Sequence, residues 1–149
     1  MSEQTENPLE NLLAMWDVDS TMDSTELGKE LINIPRLHAK YIRILTKHSS
    51  LSRKTAIDLT EVKKRKLEYY SGRMSQEDLD KYGLKPFKFI LKSDINDYID
   101  ADEEVVKLQR KKAFHDEMVS CCNSIMREIN NRHYSVKAAI DWEKLIMGN

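Results

Sequence analysis

The chain has 149 residues, enough for one domain with a buried core, and a formal net charge of −1 at pH 7. Four glycines and three prolines amid many Lys, Glu, Leu and Ile residues predict a mainly α-helical fold. No stretch approaches the roughly 18 apolar residues of a membrane span, the acidic N-terminus does not read as a secretory signal, and the adjacent Cys121 and Cys122 suit neither a disulfide nor a metal clamp, which fits a reducing cytoplasm.

In chain order, residues 1–20 form an acidic segment that is briefly apolar at Leu9, Leu12, Leu13, Met15 and Trp16, read as a short, conditionally ordered helix that either docks elsewhere or stays flexible. Residues 1–35 carry eight acids against Lys29 alone, a net −7. Asp23-Ser24-Thr25-Glu26 offers caps for a helix toward Pro35, which should kink it or open a new one. Leu37, Tyr41, Ile44, Leu45 and His48 then form an amphipathic stripe. A break is expected at Ser49-Ser50, after which Leu51, Leu59, Val62, Leu67 and Tyr70 carry the pattern to Gly72, a good helix terminator. Residues 36–73 are net +8, segregation that points to a polyanionic partner.

Residues 74–82 are polar, and 74–104 are net −5. Lys85 to Leu91 alternates in part, predicting a short extended or β segment near 86–92, and 93–97 is turn-like. A strong helix is expected over 102–130, a break at Asn130-Asn131, and a last helix over 134–147. The C-terminal part, 102–149, thus reads as a helical hairpin. Its apolar excess at Phe114, Met118, Cys122, Ile125, Ile129, Val136, Ile140, Trp142 and Leu145 suggests a subunit interface. Residues 21–101 form the helical middle with its connecting arm.

The chemistry of enzymes finds little support. No GxxxxGK[ST] loop is present, and His38, His48, His115 and His133 form no ligand pair at helical spacing. Asp94, Asp97, Asp100 and Asp102 lack the glycine that turns a cation loop. No catalytic residue, metal or cofactor is expected. Lys63, Lys64, Arg65, Lys66 and Arg73, interleaved with Tyr69 and Tyr70, are the better signal: phosphates attract cations, and unstacked bases attract aromatic faces. The same residues also suit a solvated helix face with snorkelling lysines and core tyrosines.

Tyr69-Tyr70-Ser71-Gly72-Arg73, preceded by Lys64, Arg65, Lys66 and Leu67, resembles the basic-aromatic motif of the UvsY family of phage recombination mediators, which reads approximately Leu-Lys-Ala-Arg-Leu-Asp-Tyr-Tyr-Ser-Gly-Arg. Lys47-His48-Ser49-Ser50 and Asp23-Ser24-Thr25 are similar to family strings upstream. Leu91, Ser93, Asp94, Cys121 or Cys122 and the stretch from Trp142 to Gly148 fit more loosely, so the similarity spans about 20–148. The motif's first lysine falls on Lys64, its alanine on Arg65 and its arginine on Lys66. The last change loses bidentate phosphate geometry that Arg65 can restore from one position away.

The resemblance implies a non-enzymatic ring-like homo-oligomer, a hexamer or heptamer, in the cytoplasm of an infected bacterial host. Such a protein binds single-stranded DNA, contacts the phage single-strand binding protein and loads a RecA-like recombinase. Lys63, Lys64, Arg65, Lys66 and Arg73, with Arg53 and Lys54, would meet phosphates, and Tyr69 or Tyr70 would stack or buttress. Two other readings stand beside it. One is a helical adaptor whose basic block meets acidic protein surfaces, its own acidic N-terminal segment among them; the other is a helicase-loading factor.

Overall fold

A computed structural model describes residues 7–88 and 90–148. The elements are helix α1 (Pro8–Ser20), helix α2 (Leu27–Tyr70), helix α3 (Gln76–Tyr82), a 3₁₀ turn (Lys92–Asp94), helix α4 (Ile95–Ala101) and helix α5 (Glu103–Ile146). The chain divides into two compact units, one of residues 1–48 with 117–149 and the other of residues 49–116. Among the described residues no helix is long and apolar enough to cross a membrane.

The two 44-residue helices correct the breaks expected at Ser49-Ser50 and Asn130-Asn131, and no new helix opens at Pro35. α2 runs unbroken through Pro35 and through Ser49-Ser50. Proline denies the Leu31 carbonyl its helical donor, yet Tyr41 and His48 are buried in the first unit and Thr55 and Val62 in the second, at seven-residue spacing, so packing within each unit holds its part of the helix. Thr55 disguised the repeat because it is polar; its hydroxyl donates to the Leu51 carbonyl at 2.7 Å. α5 likewise continues through Asn130-Asn131, so residues 102–149 are not a hairpin. Met118, Cys122, Ile125, Ile129, Arg132 and Val136 are buried in 4-3-4-3-4 spacing, and both asparagines point to solvent.

No strand occurs among the described residues, and the residues around 86–92 are irregular before the 3₁₀ turn. A short strand needs a paired neighbour, and none is offered to this segment. The polar stretch 74–82 is instead α3. Ser75 caps it by accepting from the Asp78 N–H at 3.2 Å, and Gly83 (φ 64°) ends it. The turn-like run 93–97 opens α4.

In the first unit, Asn7 caps α1 and Pro8 occupies its first turn. Of the flexibility expected over 1–20, the part on 1–6 lies outside the described residues; 8–20 is a docked helix. Leu12 is buried, Trp16 meets Tyr41 edge-on at 5.4 Å, and the Tyr41 hydroxyl donates to Asp19 at 2.8 Å. Arg132, 5% exposed, donates to the carbonyls of Asp19 (2.9 Å) and Thr21 (3.0 Å) and reaches Glu30 at 3.4 Å. The end of α1 and the start of α2 are thereby tied to α5. The acidic N-terminal segment thus does meet the basic block, through Asp19 and Lys40 at 2.5 Å.

In the second unit, Val62, Ile99 and Val105 form a core joined by Leu59, Tyr70, Ile95 and Leu108. The Ser52 hydroxyl bonds to Asp116 in the same unit.

Candidate nucleic-acid interface

The basic-aromatic motif is about the last two turns of α2 and the turn that stops it. Gly72, at φ 73°, adopts the left-handed conformation, its N–H bonding the Tyr69 carbonyl (3.1 Å) while the Arg73 N–H bonds the Glu68 carbonyl (2.9 Å). This is the paired closure of a Schellman motif, and it costs least at glycine. Arg73 is thereby thrown off the helix end, where its Nε donates to the Ser71 hydroxyl at 3.0 Å.

The helix sorts the cations by face. Arg65 Nη2 donates to both carboxylate oxygens of Glu104 at 2.6 Å, and its guanidinium lies 4.6 Å from the Tyr82 ring centre. Lys66, its side chain only 14% exposed, sits 3.2 Å from Asp102 and 3.3 Å from Glu104. Both are therefore already neutralised by the start of α5. Burial raises the Asp102 carboxyl, but hydrogen bonds from Tyr70 and Lys66 outweigh it and hold the group below its ordinary value. The hydrogen bond from Arg65 holds Glu104 low in the same way, against a smaller effect of burial.

The tyrosines are structural. Burial and the 2.7 Å bond to Asp102 push the Tyr70 phenol above its ordinary range. The Tyr69 hydroxyl donates to the Lys85 carbonyl at 3.0 Å. Phe87 meets Tyr69 at 5.4 Å, Tyr70 at 4.8 Å and Tyr98 at 5.6 Å, an aromatic cluster that fastens the 84–88 arm to α2 and α4. These contacts serve the buttressing role foreseen for the rings, and Tyr70 also presents surface to a neighbouring hollow.

Beside this cluster lies an open hollow of about 680 Å³, within the range of roughly 300–1,000 Å³ typical of small-ligand sites. Leu67, Tyr70, Phe87, Ile90 and Ile95 wall it, Asn96 adds an amide, and Arg73, Lys88 and Lys92 supply cations. No carboxylate lines it among the described residues, and none is ion-paired with those three cations. Lys63 stands one turn before Leu67 and shares its face. Lys64 is exposed and lines a different hollow with Glu61, Glu68 and Asp78. Arg53 and Lys54 are exposed about 15 Å farther back along α2.

Of the residues expected to bind DNA, the structure thus brings Arg73 and Tyr70 to the hollow, with Lys63 alongside. Lys88 and Lys92 were missed because they fall in a segment read as strand and turn; their positive charge in an otherwise acidic stretch was the available signal. Cys122, Ile129 and Val136 have no exposed surface, and Met118 and Ile125 are 3% exposed, so these five expected interface residues form the chain's own core. Phe114 and Ile140 are half-buried. Trp142 (61%) and Leu145 (69%) are exposed, together with Tyr134, Ile146 and Met147.

Fold and site define a class: a helical scaffold carrying a cationic hollow with aromatic walls, in which no cluster of metal-holding side chains occurs among the described residues. The family model described as "Recombination, repair and ssDNA binding protein UvsY" matches residues 15–149. The recombination protein uvsY of Enterobacteria phage T4 is 28% identical over 132 residues, covering 87% of this chain and 90% of that protein. The crystal structure of the bacteriophage T4 recombination mediator protein UvsY superposes with a TM-score of 0.82 at 22% identity, over 93% of this chain and 97% of that one, a likeness of fold. The chain belongs to the UvsY family.

Proposed function

We propose that this protein is a non-enzymatic recombination mediator: it binds single-stranded DNA, helps displace the single-strand binding protein and loads a RecA-like recombinase. Family membership supports the reading, since the T4 protein of the same fold is called a recombination mediator. The observation that carries it is the set of Arg73, Lys88 and Lys92, which have no carboxylate ion-pair partner among the described residues, around an apolar, aromatic-walled hollow. Phosphates supply the missing anions. A homo-oligomer of six or seven chains, built on the exposed Trp142, Leu145, Ile146 and Met147, would multiply this modest patch through effective concentration.

Anisotropy of a labelled single strand over a salt series tests the binding. The triple variant Arg73→Ala/Lys88→Ala/Lys92→Ala should weaken it and flatten the salt dependence by about 2 in slope, at roughly 0.7 per phosphate contact on a single strand. Light scattering on Trp142→Glu/Leu145→Glu should show a smaller particle. Stimulated recombinase turnover on strands coated with single-strand binding protein tests mediation. One observation favours the adaptor reading: Arg65 and Lys66 already hold carboxylates, so acidic protein surfaces suit this block chemically. A folded wild-type protein with no DNA affinity would move the assignment there.

A further inference from the structure

Resting on that DNA-binding reading, we propose that the hollow beside the motif is a nucleotide pocket, taking one unstacked base of the single strand against Tyr70 and Phe87 while Arg73, Lys88 and Lys92 hold its phosphates. Three features of the site combine to support this. The walls formed by Leu67, Ile90, Ile95 and the two rings are apolar, which a bare polyphosphate track would not need. The cations are gathered beside those walls, and the Ser71 hydroxyl holds the Arg73 guanidinium in place. The Asn96 amide adds a donor and an acceptor of the kind that reads a base edge.

A planar ring joined to an anion matches this pairing of surfaces, and a volume near 680 Å³ accommodates it. The pocket also accounts for strand selectivity. In a duplex the bases are stacked and paired, so filling the pocket would require extrusion, which costs a few kcal/mol; a single strand offers its bases freely. The rings themselves need not move. Phe87 is held by Tyr69, Tyr70 and Tyr98, so the pocket wall is preformed rather than assembled around the strand.

The test compares three labelled probes of equal phosphate number on the full-length protein: a single strand, the same backbone made of abasic units, and a duplex. Wild type should prefer the base-bearing strand to the abasic one by about tenfold or more, as base–aromatic stacking allows. Phe87→Leu removes one aromatic wall of the hollow and none of its cations. The preference, taken as the ratio of base-bearing to abasic affinity so that any loss common to both probes drops out, should fall several-fold in this variant. Equal wild-type affinity for base-bearing and abasic strands would overturn the pocket and leave phosphate-driven DNA binding standing. A full preference surviving in Phe87→Leu would also overturn it. Binding to none of the probes would remove the DNA-binding reading and the pocket with it.

Discussion

Two clusters of charge hold this protein together, one in each unit, and they are built differently. In the first, Arg132 is almost wholly buried and is held mostly by backbone carbonyls, with Glu30 at its edge. In the second, Arg65 and Lys66 are held by side-chain carboxylates, and Glu104 is nearly half exposed. A buried cation on carbonyls has no alternative partner and acts as a bolt. A cation on a half-exposed carboxylate such as Glu104 can trade that partner for another anion, because water and salt already weaken the pair. The contrast implies that Arg65 is open to exchange with phosphate and Arg132 is not.

The largest effect that could break this comparison lies at Arg132. Arg132→Met should lower unfolding stability by about 2–4 kcal/mol, since it strips bonds from two carbonyls and strands Glu30. A loss under about 1 kcal/mol in urea denaturation would show that the bolt is ornamental. Next come the two phenols that bond aspartates. Tyr41→Phe should cost about 1–2 kcal/mol, because Tyr41 has no exposed surface. Tyr70→Phe should cost less, as Tyr70 is only half-buried, while a lysine still serves the aspartate in each case. Equal losses would erase the distinction between the units.

Acid should erode both clusters gradually. Burial raises Asp19, but hydrogen bonds from Lys40 and Tyr41 outweigh it, so its folded carboxyl, like that of Asp102, lies below the ordinary 3.8. Glu104 lies below 4.5. Groups with depressed values contribute fully above those ordinary values, and the contribution is lost as pH falls through the folded ones. Thermal melts should therefore hold level from neutrality to about pH 5 and decline below 4.5. A decline beginning near neutrality would point to other groups. The smallest stability change belongs to Glu104→Gln, within about 0.5 kcal/mol. Its sharper readout is DNA: a released Arg65 should raise single-strand affinity and steepen the salt slope by about 0.7. Unchanged affinity would mean that Arg65 is structural alone.

Much of this was legible in the sequence. Scarce breakers and many helix formers dictate helices, Gly72 after an amphipathic run dictates a stop, and the charge segregation with the Tyr-Tyr-Ser-Gly-Arg string marks the motif and the family. Elsewhere local signals misled. Ser49-Ser50 and Asn130-Asn131 read as breaks because propensity is a local quantity, while the buried positions around them are won by packing within each unit. Thr55 on α2 and Arg132 on α5 occupy buried positions of this kind, where polar residues disguise a regular repeat.

Only the tertiary structure decided which cations are spent and which are available. Charge along a chain counts Arg65, Lys66 and Arg73 alike. Ion pairs depend on distances of a few ångströms, which are set by which helix faces which. Asp102 and Glu104 lie more than thirty residues from their partners, and Lys88 and Lys92 reach the motif only because Phe87 and Tyr69 pin the arm that carries them. Helix, stop and motif follow from neighbours in sequence. The hollow is made by residues that are neighbours only in space.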